Sequence, residues 1–536
     1  MTAPLLELDS FSVSIGGRPM VQELSLTVGA GEILGLVGAS GSGKSLTALG
    51  IMRLLPRTAL ASGSIRLGGL ALDSLSEQQM QRIRGRQVGM VFQEPMTALN
   101  PLMRIGAQVA ETVSLHGAAS GAAAAKQART ALEAVGLTGE RGSPRNYPHE
   151  LSGGQRQRVA IALATVLEPA LLIADEPTTA LDVRTQAGVL AQLVTLVRER
   201  GMGMILVSHD LALIAQVTDR VAIMQAGRIV EQGATATALK HLSHPYSRAL
   251  LEAATLAPRR VRTSIAGPAA ADSTPVLEAR GLVRDYALGR RSLWRAPPAF
   301  RAVDHVSLEV QPGESVGLIG ESGSGKSTLL RLLLALDRPQ AGEVRLLGEA
   351  FSAARGKVGR RLRRSIQAVF QDPYSSFDPE WPVERLVAEP LRLAEVQPTK
   401  AEMRRRVASV LEQVGLRAAD GARYSHEFSG GQRQRIAIAR ALITAPTVIV
   451  FDEAVTALDV LVRAQIIDLL IDLNSRLKMA YLFISHDIAV VRAIADRVYV
   501  MQQGRIVEHG AAATVLESPQ HDYTRALLGA TPRIQA

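Results

Sequence analysis

The residues best suited to chemistry form two glycine-rich loops, each following an apolar run and preceding a helical pattern. Both have the spacing GxxxxGKS, in which the glycines let main-chain N–H groups point at phosphate oxygens and the next helix adds its positive end. We expect Lys44 and Lys326 to reach the β- and γ-phosphates of a nucleotide, and Ser45 and Ser327 to offer a hydroxyl to Mg²⁺. The expected nucleotide-binding residues are Gly38, Ala39, Ser40, Gly41, Ser42, Gly43, Lys44 and Ser45 in the first loop, and Gly320, Glu321, Ser322, Gly323, Ser324, Gly325, Lys326, Ser327 and Thr328 in the second.

Two acidic pairs end apolar runs downstream of these loops. LLIA leads into Asp175 and Glu176, and VIVF leads into Asp452 and Glu453. The first carboxylate of each pair suits the oxygen shell of Mg²⁺. The second lies one residue further and can polarise an attacking water, so Glu176 and Glu453 are the candidate general bases.

Polar residues also follow the remaining apolar runs. His209 and His486 come after MILVS and YLFIS. A lone histidine in such a place is more often structural than catalytic, but the matching copies favour a contact with the γ-phosphate. Gln93 and Gln371 follow GMVF and QAVF, where an amide can touch Mg²⁺ or the water.

These motifs belong to a long internal repeat. The loop at residue 38 returns at residue 320, and SGGQRQR, the acidic pair, SHD and a final histidine all return after 277 residues (152 to 429, 175 to 452, 208 to 485, 244 to 521). Residues 256–275 are rich in Pro, Ala and small polar residues and indicate a linker. We therefore expect one domain at 1–255, a linker at 256–275 and a second domain at 276–536.

The elements that must position these residues alternate between strands and helices in both copies. Short apolar runs lead into polar tips and are separated by helical patterns, which predicts an α/β fold with a mainly parallel sheet and ligand groups at its carboxyl edge. A helix-prone stretch follows the glutamine of each copy, at 121–136 and 399–415.

Composition limits the class of protein. The 536 residues are 47% apolar and 21% charged, which is enough apolar surface for large cores. No apolar stretch of about 18 residues predicts a bilayer span, and the first residues do not look like a secretory signal. The chain has no cysteine, which excludes thiolate metal sites. Its formal net charge is +10, which favours anionic partners but does not choose among nucleotide, nucleic acid and membrane. The basic run at 355–364 is either a solvated face or a binding patch.

LSGGQ at 151–155 and FSGGQ at 428–432 resemble the signature of ATP-binding-cassette ATPases. That resemblance implies two P-loop NTPase domains in tandem, each with a helical subdomain, that use ATP and Mg²⁺. It also implies a head-to-tail pair in which each ATP lies between the phosphate loop of one domain and the signature of the other. The signature residues expected to bind ATP are Ser152, Gly153 and Gly154, and Ser429, Gly430 and Gly431. ALD at 180–182 and 457–459 would cross the axis of the pair.

Two departures from the family pattern make the copies unequal. Members usually have an aromatic residue upstream of the phosphate loop that stacks on adenine; Tyr286 suits this role in the second copy, but Ile15 stands at the aligned position in the first. The second copy has Ala454 where the first has Pro177. Because the charged and phosphate-binding residues are complete in both, we expect two hydrolytic sites of unequal nucleotide affinity.

Finer features resemble the ATPases of dipeptide and oligopeptide importers in their fused form. The segments at 93–101 and 371–379, and the extensions at about 232–255 and 509–533, are similar to that group. The resemblance implies two permease subunits, an extracytoplasmic binding protein and a place at the cytoplasmic face of the inner membrane. Uptake of nickel, glutathione or another small solute stays open, as does a tandem protein acting on ribosomes or nucleic acid. We do not expect nucleic acid as a partner, and the lack of cysteine excludes the iron–sulfur cluster of some relatives.

Overall fold

The computed structural model describes residues 3–93, 98–178, 181–255, 274–287, 299–372, 376–456 and 458–531. The elements between Leu6 and Thr255 form one compact unit and those between Leu277 and Gly529 form most of another. Within these ranges no helix combines the length and hydropathy that a membrane crossing requires. Several predicted features lie partly outside the described residues. They are most of the expected linker (256–273), Ala180 and Ala457 of the ALD loops, residues 94–97 and 373–375 after the two glutamines, and residues 532–536.

The first unit contains two sheets. Its strands are β1 (Leu6–Ile15), β2 (Arg18–Val28), β3 (Ile33–Val37), β4 (Ala59–Leu67), β5 (Leu70–Ala71), β6 (Val88–Val91), β7 (Leu171–Asp175), β8 (Gly203–Ser208), β9 (Arg220–Gln225) and β10 (Arg228–Ala234). The six-stranded sheet has the order β10-β9-β3-β8-β7-β6. All of its neighbours are parallel except β9 and β10. The predicted mainly parallel sheet is confirmed.

A second, four-stranded sheet was not predicted. It is antiparallel and has the order β2-β1-β4-β5. Buried and exposed residues alternate along much of β1, as expected for a strand with one face on a core. Leu6 and Leu8 of β1 belong to the same buried cluster as Leu34 and Leu36 of β3, so the two sheets share one core.

Helices cover the sheet and form the additional helical part of this unit. They are Lys44–Ile51, Glu77–Ile83, Ile105–Leu115, Gly121–Ala134, Gly153–Thr165, Val183–Glu199, Leu211–Val217, Thr235–Ala238 and Pro245–Thr255, with 3₁₀ turns at Glu140–Gly142 and Pro148–Glu150. Ile105–Leu115, Gly121–Ala134 and Gly153–Thr165 pack on one another. They form the helical subdomain expected from the sequence.

The second unit repeats this topology. Its strands are β11 (Leu277–Ala287), β12 (Ala299–Val310), β13 (Ser315–Ile319), β14 (Ala341–Leu346), β15 (Glu349–Ala350), β16 (Ile366–Val369), β17 (Val448–Asp452), β18 (Ala480–Ile484), β19 (Arg497–Gln502) and β20 (Arg505–Ala511). Its sheets have the orders β16-β17-β18-β13-β19-β20 and β12-β11-β14-β15. These match the first unit strand for strand.

The helices of the second unit also follow the first. They are Lys326–Leu333, Gly356–Ser365, Val383–Ala388, Lys400–Gln413, Gly430–Leu442, Val460–Leu477, Ile488–Ile494, Ala512–Glu517 and Asp522–Gly529, with 3₁₀ turns at Glu389–Leu393, Ala418–Ala422 and Ser425–Glu427. The Thr399 hydroxyl accepts a hydrogen bond from the N–H of Glu402 and caps the helix that follows it, as serine and threonine commonly do.

Candidate active sites

Each phosphate loop follows a fully buried strand and leads directly into a helix. All five residues of β3 are buried, and Gly43 is the N-cap of the helix Lys44–Ile51 with φ of 103°. A Cβ on Gly43 would lie 2.9 Å from the carbonyl oxygen of Met20. Glycine is therefore required here both by the backbone conformation and by the close packing. Gly325 has the same role, with φ of 108°.

The lysine of each loop is held by main-chain carbonyl groups. Nζ of Lys44 donates to the carbonyl oxygens of Gly38 at 2.8 Å and Ala39 at 2.9 Å, and Lys326 makes the same two bonds in its own loop. Burial lowers the pKa of Lys44. Phosphate oxygens can replace these carbonyl groups as acceptors, so the structure holds the cation where a phosphate is expected.

The first acidic residue of each pair is partly or fully buried beside the loop. Oγ of Ser45 donates to Oδ1 of Asp175 at 3.2 Å, and burial raises the pKa of Asp175. In the second unit burial, together with the charge of Glu453, raises the pKa of Asp452 to about 6. A serine hydroxyl beside a carboxylate is a donor set of hard oxygen atoms, which Mg²⁺ prefers.

The second acidic residue accepts hydrogen bonds from the glutamine and the histidine predicted to act with it. In the first unit Nε2 of Gln93 donates to Oε2 of Glu176 at 3.0 Å, and Nδ1 of His209 lies 3.1 Å from Oε1. Glu176 has φ of 47°, a conformation that is uncommon outside glycine and is often found at functional sites. These three predicted residues are therefore brought together.

The second unit repeats the pair of glutamate and histidine. Nδ1 of His486 lies 3.0 Å from Oε1 of Glu453, and Glu453 has φ of 48°. Burial acts to raise the pKa of Glu453, but the hydrogen bond and charge of His486 outweigh it and lower that pKa. The glutamate is thus kept as a carboxylate, which is the form that a general base needs.

The serine of each signature is a helix N-cap. Oγ of Ser152 accepts from the N–H of Gln155 at 3.3 Å, and Oε1 of Gln155 accepts from the N–H of Ser152 at 2.9 Å. Ser429 and Gln432 form the same reciprocal pair. This capping box fixes the start of the helices Gly153–Thr165 and Gly430–Leu442, whose N-terminal glycines are suited to anion binding.

Comparison with known proteins identifies the family. A family model described as ABC transporter matches residues 21–179 and 303–456. The chain belongs to the ABC transporter family. A model described as oligopeptide/dipeptide transporter, C-terminal region, matches residues 507–536. The protein is an ATPase with two ABC domains in tandem, as predicted.

Similar proteins match nearly the whole chain. It is 45% identical over 542 residues to the glutathione import ATP-binding protein GsiA of Salmonella paratyphi A and 46% identical over 541 residues to GsiA of Escherichia coli K12, in each case over 96% of this chain and 86% of the relative. The solved structure of an archaeal ribosome recycling factor, aABCE1, in complex with the ribosomal stalk protein aP1 covers 92% of this chain and 88% of its own with a TM-score of 0.60. At 18% identity that likeness supports the fold alone.

The second ABC domain has an aromatic residue at its loop that sequence reasoning missed. Phe300, which is 51% exposed, lines a cavity of about 210 Å³ together with loop residues, Lys326 and Glu453. Tyr286 lies opposite Phe300 in the register of β11 and β12, donates its hydroxyl to Asp337 and has the guanidinium of Arg284 over its ring. The sequence did contain a signal for this residue, because Phe300 is an aromatic residue 20 positions before Gly320 (300 to 320). Residues 288–298, which separate it from Tyr286, interrupt the alignment with the first copy.

Proposed function

We propose that this protein is the ATP-hydrolysing subunit of an importer for di- or oligopeptides. The observation that carries the proposal is the match of residues 507–536 to the C-terminal region of oligopeptide and dipeptide transporters, found in a chain whose relatives are named for glutathione import. Glutathione is itself a tripeptide, so both findings favour a peptide as the transported solute.

In each domain the proposed chemistry is an attack of water on the γ-phosphorus of ATP, which breaks the bond to the bridging oxygen of the β-phosphate and releases ADP and phosphate. Lys44 and Lys326 bind phosphate oxygens in place of the loop carbonyl groups that accept from them in this structure. Glu176 and Glu453 take the proton of the attacking water, and His209 and His486 orient these carboxylates through Nδ1. Mg²⁺ would be held by three side chains in each domain and would neutralise the charge of the phosphates. These side chains are Ser45, Gln93 and Asp175 in the first domain, and Ser327, Gln371 and Asp452 in the second.

Each ATP is proposed to be completed by the signature of the other domain. Each signature offers a hydroxyl and main-chain N–H groups at a helix N-terminus. The residues are Ser152, Gly153 and Gly154 in the first domain, and Ser429, Gly430 and Gly431 in the second. Binding of ATP would then favour a closed pair and hydrolysis an open one, a population shift that can act on a partner.

The proposed partners are two permease subunits and an extracytoplasmic binding protein. The ATPase would lie at the cytoplasmic face of the inner membrane, held there by the permeases. Co-purification of the tagged chain with permease subunits supports this assembly, whereas co-purification with ribosomes contradicts it.

Uptake by a strain that lacks the gene tests the transported solute. Cells without the chain are expected to lose ATP-dependent uptake of labelled dipeptide, oligopeptide or glutathione, and a plasmid copy is expected to restore it. A chain with Glu176→Gln and Glu453→Gln serves as the matched control, because it should assemble without restoring uptake. Unchanged uptake of all three solutes, with loss of nickel uptake instead, would refute the peptide assignment.

A further inference from the structure

Each phosphate loop is joined to the C-terminal extension of its own domain by a tyrosine. The main-chain N–H of Ala39 donates to Oη of Tyr246 at 2.8 Å, and the N–H of Glu321 donates to Oη of Tyr523 at 2.9 Å. Each tyrosine is the second residue of its extension helix, Pro245–Thr255 or Asp522–Gly529. The contact connects residues more than 200 positions apart in the chain, and it occurs twice.

The peptide group that the tyrosine holds is the one that holds the lysine. The N–H of Ala39 and the carbonyl of Gly38 belong to a single peptide group, and that carbonyl accepts from Nζ of Lys44 at 2.8 Å. The peptide group between Gly320 and Glu321 is held in the same way by Lys326. Hydrogen bonds at the two ends of one peptide group polarise it and strengthen each other. A rotation of this group would move the carbonyl away from the lysine.

The first tyrosine is itself fixed in place by the turn that precedes its helix. Nδ1 of His244 accepts from the N–H of Tyr246 at 3.2 Å. The carboxylate of Glu231, in β10 at the edge of the sheet, accepts from the N–H of Ser243 at 2.8 Å. Burial raises the pKa of Tyr246, so its hydroxyl stays neutral and has lone pairs available for the N–H of Ala39.

The second tyrosine has the same supports. Nδ1 of His521 accepts from the N–H of Tyr523 at 3.1 Å. Glu508 of β20 accepts from the N–H of Gln520 at 2.7 Å and from that of His521 at 3.2 Å. Tyr523 is 5% exposed and packs in a buried cluster that includes Ile319, the last residue before the loop. The extension thus connects the edge of the sheet to the phosphate loop through a continuous set of contacts.

We propose that Tyr246 and Tyr523 are positioning residues for ATP binding, which hold the first peptide group of each phosphate loop in the orientation that nucleotide requires. The extension therefore sets the affinity of each ATP site. This inference deepens the proposed function at its ATP site and rests on ATP hydrolysis, not on the identity of the solute. ATPase assays of the purified chain test the inference, and uptake assays test the solute.

The variants Tyr246→Phe, Tyr523→Phe and their combination keep the aromatic ring and remove the hydroxyl. The N–H of Ala39 or Glu321 then loses its acceptor in the extension. The ordered conformation of the phosphate loop is destabilised by a free energy on the order of one hydrogen bond. We expect the KM for ATP of the double variant to rise about five- to tenfold while kcat changes less than twofold, because the loop contacts ATP in both the ground state and the transition state.

Tyr499→Phe is the matched control. The hydroxyl of Tyr499 also accepts a main-chain N–H, that of Glu309 at 3.3 Å, and Tyr499 is about as buried as Tyr523. It bonds to a strand and not to a phosphate loop. This variant is expected to lower Tm without changing the KM for ATP.

Hydrogen exchange of the nucleotide-free chain gives a readout that needs no turnover. Peptides that cover residues 36–45 and 318–327 are expected to exchange faster in the corresponding Tyr→Phe variant and at the normal rate in Tyr499→Phe. The inference is overturned if the double variant has a normal KM for ATP, or if the control raises KM to the same degree. Normal exchange in both loops of the double variant overturns it as well.

Discussion

Nδ1 of His209 lies 3.1 Å from Oε1 of Glu176, and Nδ1 of His486 lies 3.0 Å from Oε1 of Glu453. The histidine follows the carboxyl end of one parallel strand and the glutamate follows that of its neighbour, so the sheet itself brings each pair together. The pair recurs with the same atoms in both ABC domains, and each pair is expected to act as a unit.

Replacement of the glutamates tests whether both sites hydrolyse ATP. Glu176→Gln and Glu453→Gln each keep the side-chain shape but remove the base, and each is expected to lower kcat of the purified chain. The double variant is expected to lose about 10²–10⁴-fold. If either single variant keeps full turnover, the prediction of two hydrolytic sites is wrong.

Removal of the histidine tests whether it orients the base. His209→Ala and His486→Ala are expected to lower kcat on the order of tenfold or more with little change in the KM for ATP, since the interaction matters mainly in the transition state. His241→Ala, at an exposed position of the first domain, is the control and should leave kcat unchanged. A rise in KM with normal kcat would instead indicate a role in ATP binding.

The two glycines of the second signature separate folding from function. A Cβ on Gly431 would lie 2.3 Å from Cγ1 of Val462, whereas one on Gly430 has only Cδ2 of Leu458 at 3.9 Å. Gly431→Ala is expected to reduce the free energy of unfolding by about 1–3 kcal/mol through overpacking, and Gly430→Ala to leave it nearly unchanged. Loss of ATPase activity in a normally stable Gly430→Ala variant would support a phosphate contact at the signature, and full activity would count against it.

Phe300 is expected to contact the base of ATP at the second site. Phe300→Ala should raise the KM for ATP several-fold, because an aromatic stacking contact contributes about 1 kcal/mol. Tyr286→Phe removes only the bond to Asp337 and keeps a ring for stacking, so its KM is expected to stay near normal. ATPase assays over a range of ATP concentrations measure both KM values, and equal effects of the two changes would contradict a distinct role for Phe300.

Asp452 is expected to reduce the stability of the nucleotide-free chain above pH 6. Its folded-state pKa of about 6 exceeds the ordinary value of 3.8, so the folded state binds the extra proton between these values and stability falls as pH rises through that window. Asp452→Asn should therefore raise the free energy of unfolding by about 1–2 kcal/mol at pH 7.5. This gain is smaller than the full pKa shift implies, because Asp452 is partly exposed and solvent screens its charge. The gain should vanish near pH 3.5, and Mg²⁺-dependent ATPase activity should fall. Denaturation in EDTA at the two pH values measures the difference, and an equal gain at both would refute the role of ionisation.

The residues of the phosphate loops, acidic pairs and signatures could be predicted from sequence because each motif is local. Spacing within a few residues determines which N–H groups, hydroxyls and carboxylates follow a strand, and the repeat at 277 residues made chance matches negligible. The parallel sheet also followed, since strands that alternate with helices have few arrangements.

The contacts between distant segments needed the tertiary structure. Three features bring together segments that are far apart in the sequence, and no periodic pattern in the sequence predicts which distant segments will meet. They are the antiparallel sheet, the cavity that Phe300 lines together with Lys326, and the hydrogen bond from Ala39 to Tyr246. The histidine and tyrosine of each extension could be read from the chain as a repeated motif. Only the packing of the extension helix within its folded domain decides that the tyrosine hydroxyl meets a phosphate loop, because a hydrogen bond depends on positions within a few tenths of an ångström.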